Sequence, residues 1–256
     1  MLGLIQKDMY CLRKSLWQFL FVTLGVILLA VLFLLSAGYG NVAKGIAAMQ
    51  AEGQMSEQEF YTLFQVAVWA VLLIPVAFIC MIVECFKEDK RAGFYPCMLS
   101  LPLREYEIVG SRYASCMLIT LVGLAGSVLA AFLVSMISGV YEFGKLLGIL
   151  AAFTAALLIY MSFVMFMLYL FGVERADLIQ CAPFVVLLLA AFAGFQSRLK
   201  GVPEEELDAF LEQILIHGFQ NFLDKFWGIL LLVAVLCMAA SFWGSCKMLK
   251  MRRGNL

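Results

Sequence analysis

Six stretches of this chain each run for nineteen residues or more without an Asp, Glu, Lys, Arg or His. They cover about 17–38, 61–83, 113–138, 146–171, 178–196 and 226–246. A helix that crosses the hydrocarbon core of a bilayer needs about 20 mainly apolar residues, because its backbone groups must pair internally where no water reaches them. Composition points the same way. The 256 residues are 64% hydrophobic and 14% charged, and mean hydropathy is +0.97. Soluble domains are about 45–50% apolar and about 25% charged, so a water-soluble fold could not hide this much apolar surface. The expected fold is all-α and integral to a membrane, with six transmembrane helices in a single domain over 1–256.

Two function classes drop out early. Formal net charge is zero, which gives no electrostatic case for nucleic acid. The single histidine, His217, has no second histidine and no cysteine near it, so neither a zinc nor a haem site is expected.

Orientation follows from the basic residues. With the N-terminus cytoplasmic, thirteen Lys and Arg fall in cytoplasmic segments and five in outer ones, the asymmetry the positive-inside rule describes. None of the eight cysteines falls in an outer loop, which excludes an extracellular disulfide framework and leaves them as small apolar fillers. Both termini are placed in the cytoplasm. Ahead of the first span, Leu2, Ile5, Met9, Leu12 and Leu16 recur three and four apart and form one helical face. The 1–16 segment reads as a helix lying in the membrane interface, with Lys7, Asp8, Arg13 and Lys14 turned away from that face.

Gly139, Gly144 and Lys145 have the G-x-x-x-x-G-K spacing of a phosphate-binding loop. That loop needs a strand before it, a helix after it, and Ser or Thr after the lysine to hold magnesium. Here Leu146 follows the lysine and a transmembrane segment precedes Gly139, so the stretch reads as a tight outer turn. Any ATP site belongs to another chain. The spans also lack ionisable groups, so proton or sodium coupling has no evident machinery. There is no H-E-x-x-H, and Glu204, Glu205 and Glu206 stand together in an outer loop. Catalysis by this chain is not expected, and no cofactor is expected in it.

The loop 84–112 is longer than a simple connection requires. It mixes charges of both signs with Phe86, Phe94, Tyr95 and Tyr106, a composition that suits a protein interface, the bland alternative being a solvated loop. Gly93 and Pro96 break its first helical stretch. Pro102 and Glu105 suit the start of another helix that runs on into the third span.

Phe86, Glu88, Asp89, the run Leu99-Ser100-Leu101-Pro102, Arg104, Glu107-Ile108-Val109 and Arg112-Tyr113 together resemble the signature of ABC-2-type (type V) exporter permeases. The layout is most similar to the small six-span permeases of Gram-positive lantibiotic-immunity and phenol-soluble-modulin exporters. Two positions depart from that pattern: Arg112 stands where lysine is usual and Phe94 where tryptophan is common. The resemblance implies that 84–112 carries a coupling helix seated on a separate ABC ATPase, which binds ATP and Mg. Glu84, Phe86, Lys87, Glu88, Asp89, Arg91 and Arg104 would be the docking residues, and the 1–16 helix would move with them.

Elsewhere, Gly123, Ser127, Ala131 and Ser135 are four apart in the third span, a small-residue stripe for close helix packing, either within the chain or between two copies. Pro75 is expected to bend the second span. After the fifth span, Pro203 and three glutamates open a helix whose stripe includes Leu207, Phe210, Leu211 and Ile214. It reads either as an outer gate or as a passive interfacial helix. The expected function is the permease subunit of an ATP-driven exporter in a bacterial plasma membrane. It would pair with a second copy or a sibling permease and move a hydrophobic or amphipathic peptide, lipid-like molecule or drug. The competing reading is a membrane scaffold or sensor subunit that transports nothing.

Overall fold

The apolar runs fold as helices, which satisfy their own backbone groups without water. A computed structural model of the chain describes residues 2–39, 57–94, 103–138, 142–199 and 219–254. These hold α1 (Leu2–Cys11), α2 (Arg13–Tyr39), α3 (Glu57–Arg91), α4 (Glu105–Ser138), α5 (Phe143–Phe171), α6 (Ala176–Leu199) and α7 (Phe219–Gly254), with a 3-10 turn at Val173–Arg175. No strand occurs among the described residues. Five segments are long and apolar enough to cross a membrane: Arg13–Ser36, Val68–Arg91, Glu105–Ile137, Phe143–Phe171 and Phe226–Arg252. The expected span 178–196 lies within α6, several of whose side chains fall outside the described residues. The expected helix bearing Leu207, Phe210, Leu211 and Ile214 also lies outside them, as does His217.

The second and third spans extend well past their apolar runs. Lys90 and Arg91 occupy the last turn of α3, where cations suit the helix's negative end. Gly93, at φ 63°, then closes the helix, its N–H donating to the Lys90 carbonyl at 3.1 Å. At the start of α4, Glu105 and Glu107 fill the first turn, and the Glu107 carboxylate accepts the Arg104 backbone N–H at 2.9 Å. Residues 84–91 are therefore a continuation of the span-two helix. Gly144 and Lys145 lie in the first turn of α5, and the preceding described element is the helix α4.

Paired residues fix the directions of the helices. Phe19 meets Phe78 while Val31 lies near Ala70, Cys85 meets Arg112 while Phe78 lies against Gly123, and Cys116 meets Met165 while Phe132 meets Phe143, so α2 to α5 alternate up and down. Tyr160 lies near Phe184 while Phe171 and Leu178 line one pocket, which makes α6 antiparallel to α5. Ser241 donates to the Ser162 carbonyl and Arg252 to that of Leu170, which makes α7 parallel to α5. The α5–α7 and α3–α4 seams are the most extensive.

Two buried clusters form the core. One gathers residues of α1 to α5 around Phe78, Ile119, Val134 and Leu150. The other joins α3 to α7 through Ile82, Ile108, Met165 and Leu249. Hydroxyls within the helices are satisfied locally: Thr120, Ser127 and Thr154 each donate to the carbonyl one turn back.

Candidate functional site

Most of the charged groups among the described residues gather at one end of the bundle, where three are buried and a fourth, Lys7, is partly covered. Asp8 on α1 and Leu12, one turn later and just past its end, are each 1% exposed, and α1 lies against α4 and α3. The sequence reading turned Asp8 and Lys7 away from the packed face. The structure corrects this, because a helical face wide enough for Ile5, Met9 and Leu12 also takes in position 8. Asp89, one turn after Cys85 on α3, is 3% exposed, and Arg112 on α4 is 3% exposed.

These side chains form one neutral knot of two acids and two bases. Lys7 Nζ lies 2.6 Å from Asp89 Oδ1 and 3.1 Å from Asp8 Oδ1. Arg112 Nη1 lies 2.8 Å from Asp8 Oδ1, and its Nη2 pairs with Asp89 Oδ2. Arg112 also donates to Cys85 Sγ at 2.6 Å, and Ser115 Oγ donates to Asp8 Oδ2 at 3.2 Å. Aromatic rings close the knot. The guanidinium sits 5.2 Å from the Phe86 ring centre, Phe86 meets Tyr169 edge-on at 5.8 Å, and Lys7 Nζ lies 4.1 Å from the Phe94 ring centre. Burial pushes the Lys7 ammonium below its ordinary pKa, the Arg112 charge adds to this, and Asp8 works against it. Burying Asp8, Asp89 and Arg112 is tolerated because each finds an opposite partner.

A second layer ties in the α5–α6 turn. Lys87 Nζ bridges Glu84 at 2.7 Å and Asp177 at 2.6 Å, and Lys90 reaches Glu174 at 3.6 Å. Gly172 adopts φ 89° and ψ 168°, a conformation open almost only to glycine. Beside it, Arg252 donates to the Leu170 carbonyl at 3.0 Å. Deeper in the bundle, the Tyr113 hydroxyl lies 2.5 Å from Ser241 Oγ and 3.3 Å from Ser245 Oγ, joining α4 to α7.

The structure divides the expected docking residues. Phe86 and Asp89 are withdrawn into the bundle, so neither is offered to a soluble partner. Glu84 and Lys87 are partly covered and pair with each other. Glu88 and Arg91 remain at the surface, 2.5 Å apart. Arg104 is exposed beside Tyr106, whose hydroxyl accepts from it at 3.1 Å, and this bond raises the Arg104 pKa. Residues 95–102, with Tyr95, Pro96 and the Leu99–Pro102 run, lie outside the described residues.

The packing stripe turns inward. A Cβ at Gly123 would lie 2.9 Å from Phe78 Cβ, Ser127 and Ala131 are buried, and Ser135 is partly so. Around Gly123 the stripe is thus a seam within the chain. The sequence reading missed Lys7, Asp8, Cys85, Arg112 and Ser115 as a set. One available signal was Asp8, set among Ile5, Met9 and Leu12 at helical spacing.

Residues 59–250 match the family described as ABC-2 family transporter protein. No curated protein and no solved structure matches the chain.

Proposed function

The chain belongs to the ABC-2 family of transporter proteins, and from that premise we propose that it is the permease subunit of an ATP-binding-cassette exporter. A separate ATPase would bind ATP and Mg and drive it. The observation that carries this reading is the charged end of the bundle. Three buried charges and the part-buried Lys7 lock α1 to α3 and α4, while Glu88, Lys90, Arg91, Arg104 and Tyr106 stay outward around the same end. A push delivered there reaches three helices as one body instead of bending a loop.

Helix directions support six spans. α6 starts at the charged end, where Lys87 holds Asp177, and α7 finishes there. The 36 residues of α7 reach about 54 Å, so it starts at the far side. The chain between must cross, and the 24 residues of α6 give about 36 Å against about 30 Å of hydrocarbon. Six spans place both termini on the side rich in Lys and Arg, the cytoplasmic side of a bacterial plasma membrane. α1 then lies in the membrane interface. The apolar stretches of the spans, free of Asp, Glu, Lys, Arg and His, suit a hydrophobic or amphipathic cargo, as in the lantibiotic-immunity and phenol-soluble-modulin exporters whose signature this sequence resembles. A complete pathway would need a second copy or a sibling permease.

Affinity purification from native membranes in mild detergent tests the reading. The wild-type chain is expected to bring a P-loop ATPase with it. The double reversal E88K/R91E leaves the buried knot intact and is expected to cut ATPase retention roughly tenfold, exposed ion pairs contributing up to about 1 kcal/mol each. A chain that repeatedly emerges alone points instead to a scaffold or sensor subunit.

A further inference from the structure

α1 and α2 carry a stripe that the transport reading does not use. Tyr10, Arg13, Lys14, Trp17, Gln18 and Phe21 line an open groove of about 560 Å³. They follow one another at helical spacing, so a single face presents them all. Tyr10 is 75% exposed, Trp17 55% and Phe21 66%. Leu24 and Leu28 continue the same face, also exposed. Arg13 and Lys14 enter none of the ion pairs found among the described residues. Lys7, a few residues earlier, is by contrast neutralised inside the bundle.

We propose that this groove binds the head of an anionic phospholipid. Its phosphate sits between Arg13 and Lys14. The Trp17 indole N–H and the Gln18 amide donate to the ester oxygens next to it, and the acyl chains run along Phe21, Leu24 and Leu28. The order of side chains along the face matches the order of chemistry along such a lipid: anion, polar ester, hydrocarbon. Trp and Tyr favour that boundary because each pairs an apolar ring with a polar tip. A second copy fits poorly, because a two-fold contact through this face would set Arg13 and Lys14 against their own images. An acidic soluble partner would leave Phe21, Leu24 and Leu28 without a role. The inference rests on α1 lying in the membrane interface, as proposed above, and not on the ATPase, so a chain purified without ATPase leaves it standing.

The test uses the full-length protein in nanodiscs with photoactivatable lipids, the labelled peptides being mapped by mass spectrometry. A phosphatidylglycerol probe is expected to label residues 10–21, and a phosphatidylcholine probe to label them far less. This comparison within the wild-type protein needs no variant. R13Q/K14Q, checked for monodisperse elution, is expected to reduce phosphatidylglycerol labelling there by on the order of 30-fold, each surface cation contributing about fivefold. R13K/K14R should restore it, and K247Q/K250Q at the end of α7 should leave it unchanged. Equal labelling by both lipids, or labelling indifferent to R13Q/K14Q, would overturn the proposal. So would displacement of the lipid by inorganic phosphate, which would mark a free-anion site, or an amine cross-link joining Lys14 of two chains, which would mark an interface between copies.

Discussion

Arg112 is the residue on which the charged end turns, because it is the fully buried base that, like the part-buried Lys7, pairs with both aspartates, and it also covers the Phe86 ring. Arg112→Leu leaves Asp8 and Asp89 buried with only Lys7 between them. It is expected to cost about 3–5 kcal/mol, read as a loss of thermal stability in detergent. Asp89→Asn in that background should cost less than it does alone, since it removes a carboxylate that has already lost one of its two cations, and a double-mutant cycle measures the difference. Arg112→Lys should be milder than leucine. A lysine keeps one charge and loses the planar fork that reaches two carboxylates. Reversal at position 89 is for the same reason a poor probe of docking. D89K should deplete folded protein, whereas E88K should not, and comparing the monodisperse fraction of the two separates structure from partner binding.

Close helix approach depends on glycine at two seams, and the seams differ in how they yield. At Gly123 an added methyl would meet Phe78 Cβ at 2.9 Å, an atom tied to the α3 backbone. At Gly244 it would meet Phe166 Cε2 at 2.8 Å, the far end of a ring that can turn aside. Gly123→Ala should therefore destabilise by about 1–3 kcal/mol and Gly244→Ala by less, with thermal unfolding of the two variants as the check. Gly172→Ala tests the α5–α6 turn. Its φ of 89° is costly for any residue with a Cβ, and a loss of about 1–3 kcal/mol is expected.

For the molecule as a whole, alternation of helix direction is the property with the widest consequences. In a variant whose only cysteine is the exposed Cys11, a membrane-impermeant thiol reagent should label inverted vesicles and spare intact cells. Gly201→Cys in the cysteine-free background should behave the opposite way, since an α6 that crosses delivers residue 201 to the other side. Labelling of both from one side would remove the sixth span and reverse the argument for a shared end.

Much of this architecture was legible in the sequence because the cost of an unpaired backbone group in hydrocarbon does not depend on which helix lies alongside. That cost sets where the helices run in the apolar stretches, and the bias of Lys and Arg sets which ends share a side. The family was legible as well, from a resemblance carried by residues around 86–113, and the family match spans 59–250. Contacts between distant parts of the chain were not legible. Lys7 and Asp89 are 82 positions apart, and Ser115 and Asp8 are 107 apart. Whether Asp8 faces water or Arg112 depends on how α1 seats against α3 and α4, which spacing within α1 leaves open. The same holds for Asp89, which sits beside the exposed Glu88 in sequence and yet points inward. Only tertiary packing separated the charges that hold the bundle's end together from those left outside for a lipid or a partner, because burial belongs to the assembled surface and not to the residue.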